Sequence, residues 1–308
     1  MADNLPVLNN NQPSMVLTTG LREYGKRGKL QDLQTVLGFL KHASEDIRTA
    51  ATQAASNLIR RNLIRHFQDL EKDVRDKLGI LLQTLDPSVI DELSKDLYCD
   101  DNQLRLRAIQ ILGLLKKNPR IREILSKLVQ DRDEKVRATA IGLLGKVVGP
   151  NDQEVILSLL NDTDKRVRAN TIEALESLGN KRLIPILLRF RKDSNNRIRG
   201  NILKALHTLG YTDIEPDLLE MMAARNDLMN ASALWVISRI GGISRKLEDA
   251  AGQAILSENE MVTRNARNAL VKIATPRALG YLKYLDLSNT LLSSADTPPS
   301  PQMSAVQR

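Results

Sequence analysis

The stretch NDTDKRVRANTIEALESLGN, Asn161 to Asn180, sets two aspartates and three basic residues beside an apolar stripe. A charged turn of this kind suits catalysis or architecture, and recurrence along the chain decides between them. Val167, Thr171, Ala174, Leu175 and Leu178 stand at offsets 0, 4, 7, 8 and 11, one face of a helix with about 3.6 residues per turn. The same frame holds Val136, Ala140, Leu143, Leu144 and Val147 before it, and Ile198, Ile202, Ala205, Leu206 and Leu209 after it. It returns at Ile47, Val74, Leu104, Met229 and Val262, so eight anchors are separated by 27, 30, 32, 31, 31, 31 and 33 residues.

A period near 31 residues leaves room for a second helix in each unit. Such helices are visible in VIDELSKDL (Val89 to Leu97), IREILSKLV (Ile121 to Val129), EVILSLL (Glu154 to Leu160) and LIPILLRF (Leu183 to Phe190). Proline and glycine fall mainly between helices, as at Asp86-Pro87, Asn118-Pro119 and Gly149-Pro150. Pro185 sits in a first helical turn, where its missing N–H is tolerated. One helix pair cannot bury its own stripe, so neighbours must stack. The expected fold is all-α, an α-solenoid of about eight two-helix repeats spanning residues 20–288.

Composition agrees with helix stacking. The 308 residues are 42% apolar and 27% charged but only 3% aromatic, so the core must be Leu, Ile, Val and Ala. Residues 1–19, rich in Asn, Pro and Thr, and the Ser/Pro-rich residues 289–308 are expected to be disordered. No apolar run approaches a membrane span and the start lacks a secretory pattern, so a cytoplasmic, bacterial-type protein is expected. Cys99 stands alone, which excludes an intrachain disulfide, and His42, His66 and His207 are dispersed without metal-ligand spacing. There is no nucleophile elbow, P-loop, GxGxxG or HExxH. No catalytic residue, cofactor or metal is therefore expected.

The repeats carry Asp131, Asp133, Val136, Arg137 and Ala140, then Asp162, Asp164, Val167, Arg168, Ala174, Leu178 and Gly179, then Asp193, Ile198, Arg199, Ala205, Leu209 and Gly210. In this the chain resembles the short HEAT-like repeats named after phycobilisome lyases, over roughly residues 28 to 287, with Thr275 to Leu285 as the opening helix of another unit. The resemblance speaks for fold, since such repeats serve as scaffolds, regulators, lyases and nucleic-acid binders. The second copy departs by Leu78 where most others hold a small residue, and the last two replace arginine by Asn230 and Thr263, as expected of capping units.

Arginine follows the anchor in six copies, at Arg48, Arg75, Arg105, Arg137, Arg168 and Arg199. A catalytic group is needed once, whereas these recur with the repeat. The resemblance implies a structural ladder in which they bond carbonyls and aspartates of adjoining turns, including Asp131, Asp162 and Asp193. Asp133 and Asp164, three residues before their anchors, are placed to cap helices.

Function is sought where the repeat breaks. The resemblance implies that second helices line a concave face, and six residues after each anchor stand Gln53, Ile80, Gln110, Gly142, Glu173, Lys204, Trp235 and Asn268. Trp235, the single tryptophan, has Arg239 one turn on, with Asn201 and Lys204 expected on one neighbouring unit and Asn268 and Lys272 on the other. Tryptophan and arginine are enriched in binding hot spots. Trp235 either fills a gap beside the atypical Met229 unit or anchors a partner.

The leading expectation is a non-enzymatic scaffold or adaptor for a protein partner. The net charge of +8 and the basic clusters Leu58 to Phe67 and Arg189 to Arg199 leave nucleic acid as an alternative, with a likeness to HEAT-like DNA glycosylases that use a cationic groove. Those enzymes use several aromatics and an aspartate that this chain does not match. A bilin lyase subunit is a third reading, from the name of the repeat alone.

Overall fold

The computed structural model describes residues 5–115, 118–147, 153–241 and 244–284; residues 289–308, expected to form a tail, lie outside it. Every regular element among the described residues is helical. The chain divides into two compact units, residues 1–155 and 156–308.

The first unit contains α1 (Ser14–Arg27), α2 (Leu33–Gly38), α3 (Glu45–His66), α4 (Lys72–Leu85), α5 (Val89–Leu97), α6 (Asn102–Leu112), α7 (Pro119–Leu128) and α8 (Glu134–Leu144). Helix α9 (Gln153–Ser158) spans the boundary. The second unit continues with α10 (Lys165–Ser177), α11 (Ile184–Leu188), α12 (Asn196–Thr208), α13 (Glu215–Ala223), α14 (Asp227–Ile240), α15 (Arg245–Ala254), α16 (Glu260–Ile273) and α17, residues 276–284. Helices α6, α8, α10, α12, α14 and α16 carry anchors. In the second unit α10, α12, α14 and α16 pack successively, with α11, α13 and α15 against them; in the first, α5 packs on α6, α7 on α8, and α6 on α8.

The apolar stripe is the core. Val167, Thr171, Ala174 and Leu175 are buried, as are Ile198, Ile202, Ala205 and Leu206. In α6, α8, α10, α12, α14 and α16 the helix start is fixed by a side chain three residues before the anchor. Asp101, Asp133, Asp164, Asn195 and Asn259 each accept two N–H groups at 2.8–3.3 Å, and Asn226 accepts that of Met229 at 3.1 Å. These are otherwise orphan donors of the first turn. The cap changes from aspartate to asparagine after Asp164 with its geometry kept.

Asp164 also accepts from the Arg166 side chain, which chiefly holds its carboxyl down at about 2, with the Arg166 and Val167 N–H groups adding to the effect. Its folded value lies below the unfolded value of about 3.9. Its stabilisation is therefore complete above about pH 4 and is lost as pH falls toward 2. Asp164→Asn should keep the cap geometry seen at Asn195 and Asn259 but lose the charge-assisted contact with Arg166, a cost of about 1–2 kcal/mol at pH 7. It should also lose less stability than the parent between pH 4 and 2.5. Urea melts at the three pH values test this, and equal acid-induced losses in both proteins would contradict it.

Two parts of the first unit differ from the sequence reading. Residues 5–19 are folded rather than disordered, because Leu17 and Leu21 are fully buried and α1 lies along α3. Tyr24 Oη donates to the Pro6 carbonyl at 3.1 Å, and Leu8 covers Gly20 so closely that a Cβ there would be 2.4 Å from it. The copy at Val74 also lacks a first helix. Leu58, Ile59 and Leu63 extend the buried stripe of α3, which runs for 22 residues, and only the turn at 67–71 separates it from α4. Ser44 and Glu71, at the cap positions of these two copies, make no cap hydrogen bond.

Candidate functional site

Five of the six arginines that follow an anchor donate to backbone carbonyls of the preceding turn. Arg48 donates to the His42 and Ala43 carbonyls at 2.8 and 2.7 Å, Arg137 to Asp131 and Arg132 at 2.8 and 3.1 Å, and Arg168 to Asp162 and Thr163 at 2.8 and 3.2 Å. Arg105 donates likewise to Cys99 and Asp100 at 2.9 and 3.0 Å, and forms a bidentate pair with Asp131 at 3.1 Å on both arms. Arg75 reaches the Phe67 carbonyl at 3.2 Å. The Asp131, Asp162 and Asp193 side chains accept the N–H groups of Asp133, Asp164 and Asn195 at 2.7–2.8 Å, tightening the turn.

Where arginine is replaced, the same task is done by other groups. Thr263 Oγ1 donates to the Ser257 carbonyl at 2.8 Å, and the Asn230 amide, oriented to satisfy its surroundings, donates to the Met221, Met222 and Ala224 carbonyls at 2.8–3.1 Å. Arg199 departs from the expected ladder. It turns instead to Glu220 at 2.9 Å and to Asp217, which is 3% exposed, at 3.7 Å. Lys192 completes this cluster through Asp217 at 2.9 Å and through Glu220, whose carboxyl is held below the usual range chiefly by the Lys192 hydrogen bond and then by Arg199.

The exposed edge of the anchor helices in the second unit is different. Two residues after the anchor stand the small Ala169, Gly200 and Ala231, all buried. One residue further, the Asn201 amide donates to the Ala169 carbonyl at 3.2 Å, and the Asn265 amide to the Ala231 carbonyl at 2.8 Å. Between them in register lies the short Ser232, which accepts from Asn196 at 2.8 Å. A cleft of about 360 Å³ lies there, lined by Gly200, Ala231, Ser232, Trp235, Met261 and Asn265, with Glu173, Asn196, Arg197 and Asn201 completing it. In the last copy Arg264, exposed, replaces the small residue, so the close-approach pattern ends at α16.

Trp235 is half-buried in this cleft. The Lys204 ammonium lies 5.7 Å from its ring centroid and the Arg239 guanidinium 5.8 Å, both within cation–π range. Lys204 also pairs with Glu176 at 2.8 Å. The structure thus brings Trp235, Arg239 and Lys204 together. Asn201 also lines the cleft; it is 4% exposed, and its amide is engaged by the Ala169 carbonyl and by Glu173 Oε1 at 2.9 Å, making it a helix-to-helix tie. Asn268 and Lys272 are exposed and do not line the cleft. Ser232, Met261 and Asn265 were not singled out from sequence. Ser232 and Asn265 share the third position after their anchors, the position of Asn201, whereas Met261 precedes its anchor and carries no such signal.

Residues 87–157 and 153–238 match the family described as HEAT repeats. The chain is a HEAT-repeat protein. No curated protein sequence matches it. Solved structures similar to this HEAT-repeat protein include Kap95p bound to RanGDP, with a TM-score of 0.51, 11% identity, and coverage of 96% of this chain and 48% of that one. YibA of Escherichia coli has a TM-score of 0.48 and 17% identity, over 94% of this chain and 97% of that one. The CpcE–CpcF complex of phycocyanin lyase from a Nostoc species has a TM-score of 0.46 and 16% identity, over 93% and 97%. No helix among the described residues is long and apolar enough to cross a membrane.

Proposed function

We propose that this HEAT-repeat protein is a non-enzymatic cytoplasmic interaction module that holds a protein partner against the anchor-helix face of its second unit, with Trp235 as the anchor. The observation that carries this reading is a partly exposed tryptophan in a cleft, with cations on its ring. A buried gap-filler would use its ring for packing, whereas this ring lines an open cleft beside the small Gly200, Ala231 and Ser232. Kap95p, a protein of similar fold, is solved with the protein RanGDP, which lends support by analogy.

The pairing of the basic clusters favours protein over nucleic acid. Arg60 pairs with Glu92 and Asp96 at 2.7 and 2.6 Å, Arg61 donates to the Gly25 and Gly28 carbonyls, and Lys192 and Arg199 are engaged by Asp217 and Glu220. Phosphate binding draws on cations available to shed counterions. Capture from a native extract should recover a protein with the full chain and lose it with Trp235→Ala and Arg239→Ala variants of unchanged melting temperature. Recovery of the same protein by those variants would place the interface elsewhere.

A further inference from the structure

The charges around the cleft point to the chemistry of what docks there. Within the second unit, Arg197 lies 3.7 Å from Glu173, Lys204 pairs with Glu176, and Lys192 and Arg199 share Asp217 and Glu220. Arg239 and Lys272 are both exposed and pair with no carboxylate among the described residues. They occupy the same register, each ten residues after its anchor, Met229 and Val262, on helices α14 and α16 that pack together. The cleft and this cation pair are therefore neighbouring features of one face.

We propose that the partner segment is an acidic peptide bound in extended form, with an apolar side chain in the Trp235 cleft and a carboxylate on Arg239 and Lys272. This rests on the docking of a protein partner at Trp235 argued above. The spacing follows from helix geometry. Ser232 to Arg239, and Asn265 to Lys272, are seven residues apart, about 10 Å at ~1.5 Å rise per residue. An extended chain covers about 10 Å in about three residues. The recognised pattern is thus an aliphatic or aromatic residue and an Asp or Glu about three positions apart. The Trp235 ring offers an apolar contact beside Arg239, whose guanidinium lies over the ring at 5.8 Å from its centroid.

The test is selection of displayed random 12-residue peptides on the full chain, followed by titration of the selected peptides against the fluorescence of Trp235. Enrichment of Asp or Glu about three positions from an apolar residue is expected, with at least tenfold weaker binding after Glu→Gln in the peptide or Arg239→Glu in the protein. A peptide carrying Lys in place of that acid should recover the Arg239→Glu variant, and Lys272→Glu provides a second, independent reversal. Trp235-dependent peptides without acidic enrichment would overturn the acidic-peptide inference and leave the docking site standing. Binders indifferent to Trp235→Ala, or no binders at all, would overturn both. Displacement of the peptides by oligothymidylate with a steep salt dependence would assign the face to nucleic acid and overturn the proposal.

Discussion

Arg105→Ala is expected to destabilise the first unit by about 3–5 kcal/mol, the range for breaking a buried ion pair by removing one partner. Arg105 is 3% exposed, and its guanidinium holds both oxygens of Asp131 and the carbonyls of Cys99 and Asp100. Truncation strips the Asp131 carboxylate, 11% exposed, of its guanidinium partner and leaves it only the Asp133 N–H, while the Cys99 and Asp100 carbonyls lose a donor. Arg105→Lys should recover only part of the loss, because an ammonium cannot reproduce the bidentate fork. Arg168→Ala provides the scale: it is less buried, its described bonds go to the Asp162 and Thr163 carbonyls, and a loss of about 1–2 kcal/mol is expected. Denaturant melts of the three variants check the order, and an Arg105→Ala protein as stable as the parent would refute the ladder.

Trp235→Ala is expected to have the opposite profile, with a large effect on binding and a small one on stability. Removing a tryptophan anchor at an interface typically costs about 2 kcal/mol or more, roughly a 30-fold loss of affinity. The ring is half-buried and borders the small residues of the cleft, so its removal opens the cleft further without exposing a closed core. Trp235→Phe should retain part of the affinity, since the apolar contact persists while the weaker quadrupole loosens Lys204 and Arg239. Affinity for the captured partner and the melting temperature, measured on the same preparations, separate the two profiles. Equal losses in both would make Trp235 a packing residue.

The contrast between these variants shows what the sequence carried and where it stopped. The stripe at offsets 0, 4, 7 and 8 was legible because burial on one helix face imposes a period that local sequence records directly. The caps at Asp133 and Asp164 were legible for the same reason, being local hydrogen bonds. The missing first helix before α4 was not, because the frame still returns at Val74; the missing element shows only in the shortened spacing. Helix α1 escaped notice because Leu17 and Leu21 are two buried residues in a polar stretch, and their burial depends on α3.

At the site, Trp235, Arg239 and Lys204 were legible as a group because they share a face by register. The cleft depends on what Ser232 lacks relative to Asn201 and Asn265, and on the small Gly200 and Ala231 that line it. That is a property of side chains brought together from three helices. Arg199 illustrates the same limit: its ladder position is read correctly from sequence, but Glu220 and Asp217 on α13 redirect it.

If the repeated charged turns build the fold, the partner is expected to contact the position where the repeat is broken, at Trp235. Because Trp235 is the single tryptophan, its emission reports on that position alone. Titrating the full chain with its captured, tryptophan-free partner fragment should give a saturable blue shift as the half-exposed ring loses water. The midpoint should move about 10-fold or more in Arg239→Glu and little in Arg168→Ala held below its melting temperature. A partner that binds with the same affinity by an independent measure while leaving the Trp235 emission unchanged would place the interface away from Trp235.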